Sequence, residues 1–299
     1  MPILSKTLTV CVLALTMSIL PIVAAEDKSA SPDALNQVVE AERAFSRTCG
    51  EVGIRKSFLQ FFADDSTIFA PEPKNGKKFY TAYQDKGRKL IWEPIFATIA
   101  SSGELGVTTG PWEMQTSMTD AKPIAFGDFV SVWKKQRDGS WKVVVDVGID
   151  HPQPSEAPED ITLAPPNDAP RKEDVDLARN GLVKAETELA EMMREGAGSA
   201  VIASASEEVR VFREDSLPAV GKDAARLMLT SDGGKMTRKV SGSGMSVAGD
   251  LVYRVGSYAS ERPNASEHGY FLSIWQAQSG GEWKLIVDLQ KKEPLPKKK

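Results

Sequence analysis

The chain of 299 residues repeats itself once. Val38-Val39-Glu40-Ala41-Glu42 returns as Leu182-Val183-Lys184-Ala185-Glu186, and Asp64-Asp65-Ser66-Thr67-Ile68-Phe69 as Glu207-Glu208-Val209-Arg210-Val211-Phe212. Pro73, Gly76 and Lys77 return as Pro218, Gly221 and Lys222, and Gly110 with Trp112 as Gly256 with Tyr258. The closest correspondence comes last: Trp133, Gly139, Trp141-Lys142 and Asp146 against Trp275, Gly281, Trp283-Lys284 and Asp288. All these pairs lie 142 to 146 positions apart and keep their order. That period far exceeds a solenoid repeat, so each copy must be a complete domain with its own core. The expected domains are 31–150 and 174–290. Between them, residues 151–173 form a Pro-rich linker, read as a semi-extended tether. Residues 291–299, with five Lys and two Pro, read as a solvated tail.

Residues 1–25 have the form of an export signal. Lys6 precedes an apolar run from Leu8 to Val23, and Val23-Ala24-Ala25 offers small residues just before Glu26 and Asp27. Cleavage after Ala25 is expected, making the protein periplasmic or secreted, with no stable membrane span once the signal is gone. Cys11 follows the bulky Val10, where a lipoprotein box needs a small residue. Cleavage leaves Cys49 as the one thiol, so stability rests on core burial rather than a disulfide. Cys49 itself is expected half-buried on a helix. Lys plus Arg number 37 against 41 Asp plus Glu, a formal charge of −4, which provides no basic field for nucleic acid. With two His and two Cys, no metal site is expected. No cofactor is expected either: the chain carries no Gly-rich phosphate loop, nucleophile elbow or metal-binding helix motif. Asn264-Ala265-Ser266 fits a glycosylation acceptor, and His151 and His268 have no nucleophile pattern beside them.

Each copy reads as helices followed by a meander of strands. Ser31-Pro32-Asp33 supplies an N-cap, a first-turn Pro and an acid for the helix dipole. Leu35, Val38, Val39 and Phe45 then fall on one helical stripe. A short helix is expected around Ser57–Phe62, a short strand at Thr67–Phe69, and helix or helical turn over Asn75–Lys89 around Gly76. The period then changes to two, predicting strands over Trp92–Ala100, Leu105–Met114, Phe126–Gln136 and Trp141–Ile149. Arg137-Asp138-Gly139-Ser140 predicts a two-residue hairpin turn, answered in the second copy by Ser279-Gly280-Gly281-Glu282. Helices first and antiparallel strands after them make the fold class α+β.

The run Ala-Glu-Arg-Ala-Phe (41–45), Phe-Leu-Gln-Phe-Phe-Ala-Asp-Asp (58–65), Phe-Ala-Pro-Glu-Pro (69–73), Gly-Pro-Trp (110–112) and Trp-x7-Trp-Lys-x3-Asp (133–146) resembles the nuclear transport factor 2-like, or SnoaL-like, superfamily. Within it, the likeness is to a bacterial family of unknown function found as exported tandem copies. It covers residues 32–152 well and 174–290 more weakly, since the second copy keeps only Pro218 and Gly221 of the Phe-Ala-Pro-Glu-Pro region. The resemblance implies two tandem cones, each a curved antiparallel sheet wrapped over N-terminal helices, with a cavity inside. The superfamily holds ketosteroid isomerases, SnoaL-type cyclases and dehydratases, and members that only bind or dimerise, so fold does not settle function.

Register suggests which residues line such cavities. A two-residue turn at Asp138-Gly139 pairs Trp133 with Val144 and Ser131 with Asp146. In the second copy the same count pairs Trp275 with Ile286 and Ser273 with Asp288. A Ser facing an Asp is thus reproduced, although a slip of one residue would break it. The other face holds Val130, Val132, Trp141, Val143 and Val145, and in the second copy Leu272, Ile274, Trp283, Leu285 and Val287. With apolar residues on both faces, both are expected to be covered, one by the domain's own helices and one by the sister sheet. That arrangement is a covalent pseudo-dimer within a monomeric chain.

Glu42 and Glu186 both fall on the apolar stripe of their helices, where a carboxylate is costly unless paired, hydrogen-bonded or protonated. Either each accepts bonds from indole, Lys or backbone donors, or Glu42 and Asp146 converge as general acid and base. Candidate ligand contacts are Phe69, Trp112, Ser131, Trp133, Glu186, Phe212, Tyr258, Ser273, Trp275 and Asp288. Three functions fit: binding of a small, largely apolar molecule in the cone, a proton-transfer or dehydration enzyme using Asp146 and Glu42, or an envelope docking protein whose cones are filled. Cavities below about 100 Å³ in both halves would favour the last, since ligand pockets usually run to about 300 Å³ or more.

Overall fold

The computed structural model describes residues 32–119, 122–157, 160–165, 175–230, 234–262 and 265–294. The expected export signal, much of the linker and the end of the tail lie outside the described residues.

The first half opens with α1 (Pro32–Val52) and α2 (Ile54–Phe61), followed by β1 (Phe62–Phe69), β2 (Pro73–Asn75) and α3 (Gly76–Ala82). The strands β3 (Lys89–Trp92), β4 (Phe96–Ile99), β5 (Leu105–Gln115), β6 (Pro123–Lys135) and β7 (Trp141–His151) complete it. After a short strand β8 (Thr162–Ala164), the second half repeats the plan. It runs through α4 (Val175–Met193), α5 (Ala197–Ser204), β9 (Ala205–Arg213), β10 (Ala219–Val220), α6 (Lys222–Leu229), β11 (Lys235–Met245), β12 (Leu251–Arg262), β13 (Ala265–Ala277) and β14 (Trp283–Lys292).

Each half is a cone: helices lie across one face of a sheet. The α1 stripe of Leu35, Val38, Val39 and Phe45 is buried against Trp133 and Val143 of the sheet. Leu182 and Leu189 of α4 pack in the same way with Trp275 and Leu285. Cys49 lies in the first of these cores with no exposed surface, deeper than the half-buried position expected of it. The sheets are not wholly antiparallel, because β1 runs parallel to β7 and β9 parallel to β14. The connection that each parallel pair requires is long: β1 reaches β7 through α3 and the strands up to β6, and β9 reaches β14 through α6 and the strands up to β13. β1 also begins earlier than Thr67, at Phe62.

Trp92–Ala100 is not one strand but two. Pro94 has no N–H to give to a ladder, and the chain breaks between β3 and β4 around it. The second half has no Pro there, and β11 runs through with a bulge between Val240 and Gly242. In both halves the neighbouring strand passes so close that only Gly fits. A Cβ on Gly110 would meet the Glu93 carbonyl, and one on Gly256 the Lys239 carbonyl.

The hairpin between β6 and β7 differs from the expected two-residue turn. Gln136 and Ser140 close a three-residue loop, with Gly139 at φ 84° accepting the left-handed conformation. Trp133 therefore lies opposite Val143, not Val144. A bulge next to Trp133 then absorbs one residue, so Ser131 still faces Asp146. The second half has the same loop, with Gly281 at φ 82°, and the same bulge: Trp275 faces Leu285, not Ile286, and Ser273 faces Asp288. The bulge also divides the face that simple alternation treats as continuous. Val143 and Trp141 turn with Trp133 toward their own helices, and Val130, Val132 and Val145 turn the other way.

Those outward valines meet the other half. One apolar core contains Val130, Val132, Val147 and Ile149 together with Phe212, Leu272, Ile274 and Leu289. Reciprocal bonds link the two halves at the hairpin tips. Ser101 N–H donates to Asp250 Oδ2 at 2.7 Å, and Val247 N–H donates to Glu104 Oε1 at 2.6 Å. Ser101 and Val247, like Glu104 and Asp250, stand 146 positions apart, so each half makes to the other the bond it receives. The linker is more than a tether, because β8 pairs in parallel with β4 on the sheet edge.

Candidate functional site

In the first half the cone encloses a cavity of about 180 Å³. α1 brings Glu42 and Phe45 to it, α2 Phe58 and α3 Tyr80, while the sheet contributes Trp92, Trp112, Phe129, Ser131 and Asp146. The walls are aromatic, and two carboxyl groups stand among them.

Glu42 is wholly buried and caged. Trp92 Nε1 donates to its Oε1 at 2.6 Å, while Thr108 Oγ1 and Trp133 Nε1 donate to Oε2 at 2.6 and 2.7 Å. Burial pushes this carboxyl above its ordinary value, and the donors from Thr108, Trp133, Trp92 and Ser131 oppose that push. Both of its oxygens are already engaged by protein donors.

Asp146 is different. It is half-buried, its contact is to the cavity, and one protein side chain holds it: Ser131 Oγ donates to Oδ1 at 2.9 Å. Burial, with the nearby Glu42 charge adding to it, raises its pKa to about 7 against the lowering effect of Ser131. The Tyr80 phenol is pushed well above its ordinary value by burial and then by Asp146, so it stays a neutral donor. Among the described residues its hydroxyl makes no hydrogen bond. A guest in this space meets aromatic surface, one acid able to be neutral or charged near pH 7, and one phenol.

The corresponding place in the second half is filled with charge. Asp288 faces Ser273 as Asp146 faces Ser131, but Arg213 Nη2 and Arg238 Nη2 each reach it at 2.7 Å. Burial alone would raise its pKa; the Arg238 and Arg213 charges and bonds overturn that and hold it below the usual range. Arg238 occupies the position of Trp92, opposite Tyr258 as Trp92 is opposite Trp112. Its guanidinium lies 4.7 Å over the Phe271 ring, as Trp92 lies 6.5 Å from Phe129. Arg254 stands where Thr108 does and draws Glu186 into a partly exposed ion pair at 2.7 Å.

Of the candidate residues, Glu42, Trp112, Ser131 and Asp146 meet at one cavity. Trp133 stands behind it, fully buried, as a donor to Glu42. Phe69 and Phe212 belong to the core between the sheets and do not line a cone. Each follows a residue that faces its own helices, Ile68 or Val211, so alternation turns it away. Glu186 and Asp288 are neutralised by arginine, Trp275 is core, and Tyr258 is buried with its hydroxyl on Glu267 at 2.8 Å. Trp92, Thr108, Tyr80, Arg213 and Arg238 were not among the expected site residues. The repeat itself carried a signal for two of them, since the 146-position shift that relates Trp112 to Tyr258 relates Trp92 to Arg238.

Among the described residues no three His, Cys, Asp or Glu side chains cluster as metal ligands, and no helix is long and apolar enough to cross a membrane. No protein-family model and no curated protein matches the sequence. Solved structures similar to part of the chain include a nuclear transport factor 2-like protein of unknown function from Shewanella oneidensis, 12% identical over 38% of this chain and 97% of that one, TM-score 0.33. A ketosteroid isomerase-like protein from Erwinia carotovora atroseptica is 16% identical over 41% of this chain and 99% of that one, TM-score 0.33. A domain of unknown function with a cystatin-like fold from Nostoc punctiforme is 15% identical over 40% and 78%, TM-score 0.34.

Proposed function

We propose that the first half binds a small, largely apolar molecule bearing one polar group, and that the second half is its fixed structural companion in a covalent pseudo-dimer. The observation that carries this reading is Asp146: in an aromatic cavity it is the acid with bonding capacity to spare, whereas its counterpart Asp288 is spent on two arginines. The volume of about 180 Å³ suits a single-ring molecule, since an apolar cavity of about 150 Å³ accepts benzene. Below pH 7 the neutral Asp146 donates a hydrogen bond, and Tyr80 donates at any ordinary pH, so a ring ketone is the simplest matching guest. We further propose export with removal of residues 1–25; N-terminal sequencing of protein from its host's envelope would then begin at Glu26.

A second reading has its own support. A carboxyl near pH 7 beside a neutral phenol is equipped to move a proton at a carbon next to a carbonyl. One experiment addresses both: 2-cyclohexenone in heavy water with the wild type and Asp146→Asn. Binding alone gives saturable calorimetric heat that weakens above pH 7 in the wild type and loses its pH dependence in the variant. Proton transfer adds deuterium incorporation that Asp146→Asn abolishes. No saturable heat with any single-ring ketone, in protein that stays folded, would contradict the binding reading.

A further inference from the structure

The two sheets are finished differently at equivalent edges. In the first half, β8 covers the outer side of β4: Phe96, Ala97 and Thr98 lie opposite Thr162, Leu163 and Ala164 in a parallel pair, and Thr162 N–H donates to the Ile95 carbonyl at 2.9 Å. The shift that takes Gly110 to Gly256 takes the β5 partners of β4, Thr109 to Gly106, onto Val255 to Val252 of β12. Those residues pair with Gly242, Ser243, Gly244 and Met245. The Gly242–Met245 segment of β11 is therefore the counterpart of the covered edge. It is the outermost strand of its sheet, and among the described residues nothing pairs with its outer side.

This edge is built to receive a strand. Gly242 and Gly244 offer bare backbone, and the exposed Ser243 between them is small. The hairpin tip beyond is clamped to the first half by the Val247 N–H bond to Glu104 and by Ala248 N–H donating to Ser102 Oγ at 3.0 Å. The unpaired groups are thus presented in a fixed position, which lowers the ordering cost of pairing. Lys235 and Lys239 are exposed on the same strand, with no ion pair among the described residues. Lysines on an edge oppose pairing with another lysine-bearing edge and favour an acidic guest.

We propose that Gly242–Met245 binds an extended segment of another polypeptide, which adds parallel to β11 as β8 adds to β4. The guest has small or aliphatic residues at the strand positions and acids just ahead of them. A parallel guest in the β8 register places residues three before its first paired position level with Lys239. The chain's own template has this composition: Glu159-Asp160 stand just before Ile161-Thr162-Leu163-Ala164. Main-chain bonds supply the affinity, and the acids choose the orientation.

The test uses a synthetic peptide of sequence 156–165 as the probe, titrated into the full chain and followed through backbone amide signals. The expected result is saturable binding with shifts concentrated at Gly242–Met245, and about tenfold weaker binding to Lys239→Glu at low salt. Lys239 is exposed, so thermal unfolding of that variant should match the wild type. A version of the peptide with Lys in place of its acids should not bind. The proposal is overturned by absence of saturable binding at millimolar peptide, or by shifts confined to Phe96–Ile99 through displacement of β8. Sedimentation showing that the β11 edge is occupied by a second copy of the chain would overturn it as well.

Discussion

Glu42 and Asp146 show how a pair of carboxyl groups can be given unequal tasks by their donors. Glu42 faces two indole N–H groups, which can only donate, and the Thr108 hydroxyl, which donates to it while accepting from Trp133. Glu42→Gln puts an amide N–H₂ among those donors, and a loss of about 2–3 kcal/mol in denaturant unfolding is expected. The same change removes the Glu42 charge, so Asp146 should titrate lower, though still above its ordinary value because burial remains. Asp146 also links folding to pH. Its folded pKa of about 7 lies above the unfolded one, so the folded state holds its proton more tightly. Stability from this group is therefore greatest at acid pH and declines as pH rises from about 4 through 7, by up to about 4 kcal/mol. Calorimetry should show Asp146→Asn gaining on the wild type at pH 8.5 and not at pH 4.

The strands and turns carry predictions of a different size. Gly139→Ala asks a side chain to accept φ 84° on an open loop, with nothing within 4 Å of the added carbon, and should cost about 1 kcal/mol. Gly110→Ala drives a carbon into the Glu93 carbonyl and should cost several times more, read as a lower midpoint in urea. At this scale the sequence was legible where spacing is repeated and misleading where it is not locally periodic. The Ser131–Asp146 pairing was recovered because two departures from simple counting, the three-residue loop at Gly139 and the bulge beside Trp133, cancel. Trp133 itself was misplaced by one, since it lies between the two. The strand break at Pro94 hid Trp92 from an alternation count, and with it the third wall of the Glu42 cage. Asp288 reads as a ligand contact in the sequence because nothing in strand periodicity says that Arg213 and Arg238 converge on it.

Over the whole molecule, the apolar outer faces of the two sheets share one core, so Val130, Val132, Val145 and Val147 are kept from water by the other half. Val147 is 1% exposed in that core, and Val147→Asp buries an unpaired charge there. The expected cost is about 3–5 kcal/mol, and because the core belongs to both halves, both should melt earlier in a calorimetric scan. A shift confined to the first half would show the shared core to be passive contact. The central claim is that duplication left one responsive carboxyl and one silenced one at equivalent positions. Carbon-13 titration of the Asp146 and Asp288 carboxyl signals in the folded full chain addresses it most directly. The account predicts that Asp146 titrates near pH 7 while Asp288 stays ionised below the usual carboxylate range. Equal titration of the two, or an Asp146 midpoint near 4, would contradict it.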